Sequence, residues 1–317
     1  MFSLAKILCF SLILIISACG FPAQEHSTPT LDIAMLPVLD GFPVVLAYHR
    51  GYFAEAGLNV VLHPFTAAME RDTAFQVNRQ IDGIVTDVVG QAIFYEGGIP
   101  TLATSASIGL ASLVGSVGVT DLAQVAGLPA LISLNTSMDY ILHRALASVG
   151  LTQADVAVTS VPSIPVRLEL LTGGATHFAT LPEPFATLAV DDRGLTLLAS
   201  TTSLDINPFV YLFREEVVSE RSTELLAFYE AVTRAVRLIN EGDREVFIDL
   251  LIEVVGYPPE VREHLILPTF PLPMPPALHH VEDVLGFARE RGLLMAELTA
   301  EQAVSDLLAS SLPSLLP

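Results

Sequence analysis

Residues 31–62 constrain the fold more than any other part of this sequence. Leu31-Asp32-Ile33-Ala34-Met35-Leu36 is short, mostly apolar and closed by Pro37, the pattern of a buried strand. Asp40-Gly41 marks a turn. Pro43 and the apolar Val44-Val45-Leu46-Ala47-Tyr48 read as a helix with proline in its first turn. Gly51 and Gly57 punctuate its exit, and Asn59-Val60-Val61-Leu62 reads as a second strand. Strand, helix and strand at this spacing make a βαβ unit, whose strands run parallel with a right-handed crossover. Ligands of such units sit beyond the carboxyl ends of the strands, against helix N-termini. The turn from Leu39 to Phe42 is therefore the first candidate binding surface.

The alternation continues. Residues 81–87 read as a third strand ending in the polar Thr86-Asp87, residues 88–95 as a helix, and residues 100–104 as a fourth strand. Residues 105–120 are small, apolar and rich in Ser and Gly, and read as a strand crossing between domains. The pattern then restarts. Strands are expected at 129–134, 156–159, 177–180 and 195–200. The helices between them begin near Thr136, Ile164 and Pro184. Residues 208–213 read as a strand returning to the first half, and the remainder as helices broken by a proline-rich loop at 268–276, the last of them over 300–308 with Thr299 and Gln302 as its capping box. This organisation is α/β throughout, with one domain formed by 31–116 and 205–317 and a second by 117–204. Pockets favour domain interfaces, so a ligand cleft is expected between them.

The N-terminus carries a separate message. Lys6 precedes an apolar run at 7–16 and then Ser17-Ala18-Cys19-Gly20, the layout of a secretory signal peptide spanning 1–18. The run is shorter than the ~20 apolar residues of a membrane-spanning helix. Ile16-Ser17-Ala18-Cys19 resembles a bacterial lipobox, which makes Cys19 the expected lipidation site and 19–30 a polar tether. Export is to the periplasm or the outer face of the cytoplasmic membrane. The only other cysteine is Cys9, so the mature chain has no thiol for a disulfide, a metal or a nucleophile. Charge excludes one function class. With 15 Lys plus Arg against 35 Asp plus Glu, the net charge of −20 argues against binding nucleic acid.

Four segments carry a family resemblance. Gly51-Tyr52-Phe53, followed by Gly57-Leu58 and Val60, resembles a signature of the thiamine-pyrimidine, sulfonate and nitrate group of ABC-importer binding proteins. Glu70-Arg71-Asp72 with Asp82-Gly83, Asp121-Leu122, and Gly173-Gly174 with Leu181-Pro182-Glu183-Pro184 are similar to further segments of that group. Asn78-Arg79 stands where the group often has glycine. The resemblance implies a type II periplasmic-binding-protein fold, a hinge, and capture of a small molecule by closure of two domains. It also implies delivery to a permease; a monomer without a cofactor is expected. Enzymes of the group that make a thiamine pyrimidine carry a cysteine-rich motif, which this chain lacks.

The strand-to-helix tips supply the candidate ligand contacts: Asp40, Phe42, Phe65, Thr66, Thr86, Asp87 and Ser105 from the first half, and Asn135, Thr136, Ser137, Tyr140, Ser163 and Glu183 from the second. Helix capping is an equal role for Asn135, Thr136 and Ser163. These tips hold carboxylates and aromatic rings and no Lys or Arg, which suits a neutral or cationic heteroaromatic ring such as a pyrimidine better than an oxyanion. Arg71 and Arg167 lie near helix starts and could turn inward. The sequence reading leaves them at the surface, Arg71 paired with Asp72 or Glu70 and Arg167 with Glu169 or Asp191. The alternatives are a binder of sulfonate- or nitrate-type anions, an extracytoplasmic sensor module, and an enzyme. No Gly-x-Ser-x-Gly elbow is present, since Gly115-Ser116-Val117-Gly118 lacks its frame. His279-His280 lacks the spacing of a zinc motif and reads as an exposed loop pair, so no metal site is expected.

Overall fold

The computed structural model describes residues 28–309. The signal-like run and Cys19 lie outside them. Two five-stranded sheets with flanking helices make up the described residues. The first contains β1 (Thr30–Met35), β2 (Asn59–Pro64), β3 (Gly83–Asp87), β4 (Thr101–Ala106) and β10 (Phe209–Arg214). The second contains β5 (Ala111–Gly115), β6 (Pro129–Ile132), β7 (Ala157–Ser160), β8 (Phe178–Pro182) and β9 (Thr196–Ser200). Their orders, β2-β1-β3-β10-β4 and β7-β6-β8-β5-β9, are the same pattern written twice. In each, parallel strands are joined to one antiparallel strand, β10 or β5, at the fourth position.

The opening unit forms as its residues dictate. β1 pairs parallel with β2, Leu31 opposite Val60 and Ile33 opposite Leu62. The helix Phe42–His49 carries proline in its first turn, where the missing N–H costs nothing. Gly51 adopts a φ of 72°, which lets the chain turn into the short helix Tyr52–Glu55.

Three expectations are corrected. Residues 105–120 are not one crossing strand: the crossing ends before Ala111, and Ala111–Gly115 is a full member of the second sheet. That strand therefore lies in the second half, inside the 31–116 span assigned to the first. Buried on both faces, it offers no alternation to read. His279-His280 sits in the first turn of the helix Leu278–Glu290 rather than in a loop. The last expected helix, 300–308, runs only from Ala300 to Ala303 before Val304 bridges to Ala103. Its capping box, Thr299 with Gln302, is present.

The chain passes between the sheets at 107–110 and at 201–208, and the two passages are tied together. Thr201 Oγ1 donates to the Gly109 carbonyl at 2.8 Å, and Asn207 Nδ2 to the Ser107 carbonyl at 2.9 Å. Asp40 accepts from Ser107 Oγ and, at 3.0 Å, from Gly109 N. The proline-rich loop lies against the same place, with Ala106 N donating to the Met274 carbonyl at 2.8 Å.

Candidate functional site

A cleft lies between the sheets, at the kind of interface that small-molecule pockets favour. Its walls are the carboxyl ends of strands from both halves. Leu36 follows β1, Thr86-Asp87 ends β3, Ser133 follows β6, Pro162 follows β7, and Pro182 ends β8. Val38, Ile164 and Phe209 give it an apolar surface.

Of the residues expected there, Asp40, Thr86, Asp87, Thr136 and Ser137 line the cleft. The others lie elsewhere. Phe42 is fully buried against Phe247, ring centroids 6.3 Å apart, and packs the core. Phe65 is packed against a second core cluster, and exposed Thr66 donates to Glu70 at 3.1 Å. Ser105 is buried behind the cleft, where it accepts from Met274 N at 3.2 Å. Asn135, with a φ of 58°, sits in a groove outside the cleft. Tyr140 turns away and donates to Asp283 on the helix Leu278–Glu290. Ser163 precedes its helix without a side-chain cap bond, and Glu183 accepts from Thr187 N at 3.1 Å.

Two cleft residues contradict the expectation of surface ion pairs. Arg71 and Arg167 are 4% and 1% exposed, and both line the cleft. Arg71 keeps Asp72 as a partner at 2.8 Å and also donates to the Val85 carbonyl at 2.8 Å and to Thr86 Oγ1 at 2.5 Å. Burial pushes the Asp72 carboxyl up to about 6 despite Arg71 beside it, with Asp87 adding to the rise. Arg167 reaches neither Glu169 nor Asp191. Its Nε donates to the Thr180 carbonyl at 2.9 Å and its Nη1 to the Val161 carbonyl at 2.7 Å. Among the described residues no carboxylate lies within ion-pair distance of it. Burial alone lowers its pKa to about 10, still far above neutrality. Arg167 is thus a fixed cation without an ion-pair partner among the described residues, and burying such a charge is costly without one.

One carboxylate joins the two halves across the cleft. Asp87 caps the helix Val88–Glu96, accepting from Gly90 N at 2.8 Å, and its other oxygen accepts from Ser137 N at 3.0 Å. Ser137 opens the helix Ser137–Ser148, which Thr136 caps by accepting from Met138 N at 3.2 Å.

The sequence profile of the NMT1-like family matches residues 24–252. The chain belongs to the NMT1-like family. Among curated proteins no sequence matches it. Solved structures share its fold. The periplasmic aliphatic sulphonate binding protein SsuA from Escherichia coli matches with a TM-score of 0.75 at 16% identity, over 88% of this chain and 98% of that one. The periplasmic nitrate-binding protein NrtA from Synechocystis PCC 6803 gives 0.78 at 14% identity, over 91% and 89%. The ligand binding component of an ABC-type import system from Staphylococcus aureus gives 0.71 at 14%, over 89% and 98%. This NMT1-like chain therefore has the two-domain α/β type II periplasmic-binding-protein fold. The Staphylococcus protein was solved with zinc bound. Among the described residues of this NMT1-like chain, no three His, Cys, Asp or Glu side chains gather to hold a metal ion. Nor is any described helix long and apolar enough to cross a membrane.

Proposed function

We propose that this protein is the exported, lipid-anchored binding component of an ABC importer. It captures a small monoanion with an apolar body and releases it to a permease. The observation that carries this reading is Arg167, a buried cleft cation without a carboxylate partner. A guanidinium in that setting gains most from a ligand that brings the missing negative charge and accepts several hydrogen bonds at once. The apolar walls at Val38, Ile164 and Phe209 suit a short alkyl or aryl body. Structural neighbours that bind sulfonate and nitrate support the same class.

The aromatic stacking surface inferred from the sequence loses its support, because Phe42, Phe65 and Tyr140 do not line the cleft. A heteroaromatic ligand stays as a second reading because Asp40, Asp87 and Phe209 do. A thermal-shift panel of alkanesulfonates, nitrate, short carboxylates and neutral pyrimidines separates the two readings. At 100 times its dissociation constant a ligand adds about 2.7 kcal/mol of stability. Stabilisation by the monoanions is the expected result, and stabilisation by the pyrimidines alone would reverse the assignment.

A further inference from the structure

Asp87 is an odd residue to find in a cleft read as an anion site. It is 4% exposed, lines the cleft, and spends both oxygens on backbone N–H groups, Gly90 of its own half and Ser137 of the other. Gly90 fits this arrangement, since a Cβ there would stand 3.2 Å from Thr86 Oγ1 and 3.7 Å from the Asp87 carboxylate. The protein has thus placed a carboxylate, held by two helix starts, in a cleft that Asp40 also lines. We propose that Asp87 sets the charge selectivity of the cleft, admitting one negative charge on the ligand and rejecting a second. The inference rests on the Arg167 reading of the site and extends it to specificity.

The cleft lining contains two arginines and two aspartates. Arg71 is already engaged by Asp72, and Asp40 accepts from Ser107 Oγ and Gly109 N, so Arg167 is the cation left to balance a ligand. A monoanion at Arg167 completes one pair. A dianion brings a further charge into a cleft whose lining includes Asp87. Coulomb repulsion scales with the ligand's charge, so Asp87 penalises a dianion about twice as much, in free energy, as a monoanion.

Calorimetric titration of the full-length protein and of D87S with methanesulfonate and with sulfate tests this. Serine keeps a helix-capping oxygen for Val88–Glu96 while removing the charge. If methanesulfonate affinity rises by some factor in D87S, sulfate affinity is expected to rise by about that factor squared. D87N, which keeps the side-chain volume, is expected to move the ratio in the same direction, and it replaces D87S if that variant unfolds. Equal gains for the two anions, no gain for either, or no binding of either anion by any variant would overturn the inference. The Arg167 reading has its own control: methanesulfonate binding that is indifferent to R167Q contradicts that reading, whatever the ratio shows.

Discussion

Beyond Lys6 every basic side chain other than histidine is arginine, so nothing in the residue type singled out Arg71 or Arg167. Proximity to acids in the sequence suggested ordinary surface pairs. Half of that was right, since Arg71 does hold Asp72. What the sequence could not supply was depth: whether a helix start faces the cleft depends on packing between the two halves. Asp72 gives a test at this scale. Burial raises its carboxyl to about 6 from an ordinary 3.8, and burial shifts Asp40, Asp82 and Glu183 in the same direction. A raised carboxyl binds its proton more tightly in the folded state. Its contribution therefore favours folding at pH below about 4 and is lost as pH rises through about 6. For Asp72 the effect is on the order of 3 kcal/mol. Denaturant titrations at pH 5 and pH 7 should find the wild type more stable at pH 5, with a smaller difference in D72N. An unchanged difference in D72N would show that Asp72 does not titrate in this window. Protonating Asp72 also removes the carboxylate facing Arg71, so monoanion binding should tighten as pH falls through about 6.

At the scale of elements, strands with one exposed face or a clean break at their ends were legible. β1, β2 and β3 appear where short apolar runs bounded by turn residues placed them. β5 was not, because its Ala, Ser and Gly merge into the small-residue run 105–120 around it. The helix that carries His279 and His280 was hidden behind Pro275 and Pro276, which read as loop although proline suits the approach to a helix N-terminus. The site split along the same line. Polar strand ends such as Thr86, Asp87 and Thr136 were readable as tips, whereas the aromatic tips went into the core. Close packing makes one element directly testable. Gly83 on β3 faces Phe213 on β10, and a Cβ there would stand 2.5 Å from the phenyl ring. G83A should therefore destabilise the fold by about 1–3 kcal/mol, read from the denaturant midpoint. The Thr136 cap offers a milder case: T136A should cost about 1 kcal/mol without moving the cleft cations.

For the whole molecule, two sheets of one pattern are joined by two passages that hydrogen-bond to each other, with ligand-facing groups on both sides. That layout suits closure by rotation of the halves about the passages. Small-angle scattering should show a smaller radius of gyration when a confirmed ligand binds, and an unchanged radius would argue against closure. Anchoring belongs to this scale too. C19A should lose its lipid and leave the membrane fraction, and a C19A protein that stays there with unchanged mass would contradict the lipobox reading. The central claim is that Arg167 anchors a monoanion between the halves. Calorimetric titration of wild type and R167Q with propanesulfonate tests it most directly. Saturable one-to-one binding by the wild type is expected, with a loss of about 2–5 kcal/mol in R167Q, a thirtyfold or greater drop in affinity. Equal affinity in the two proteins would contradict it.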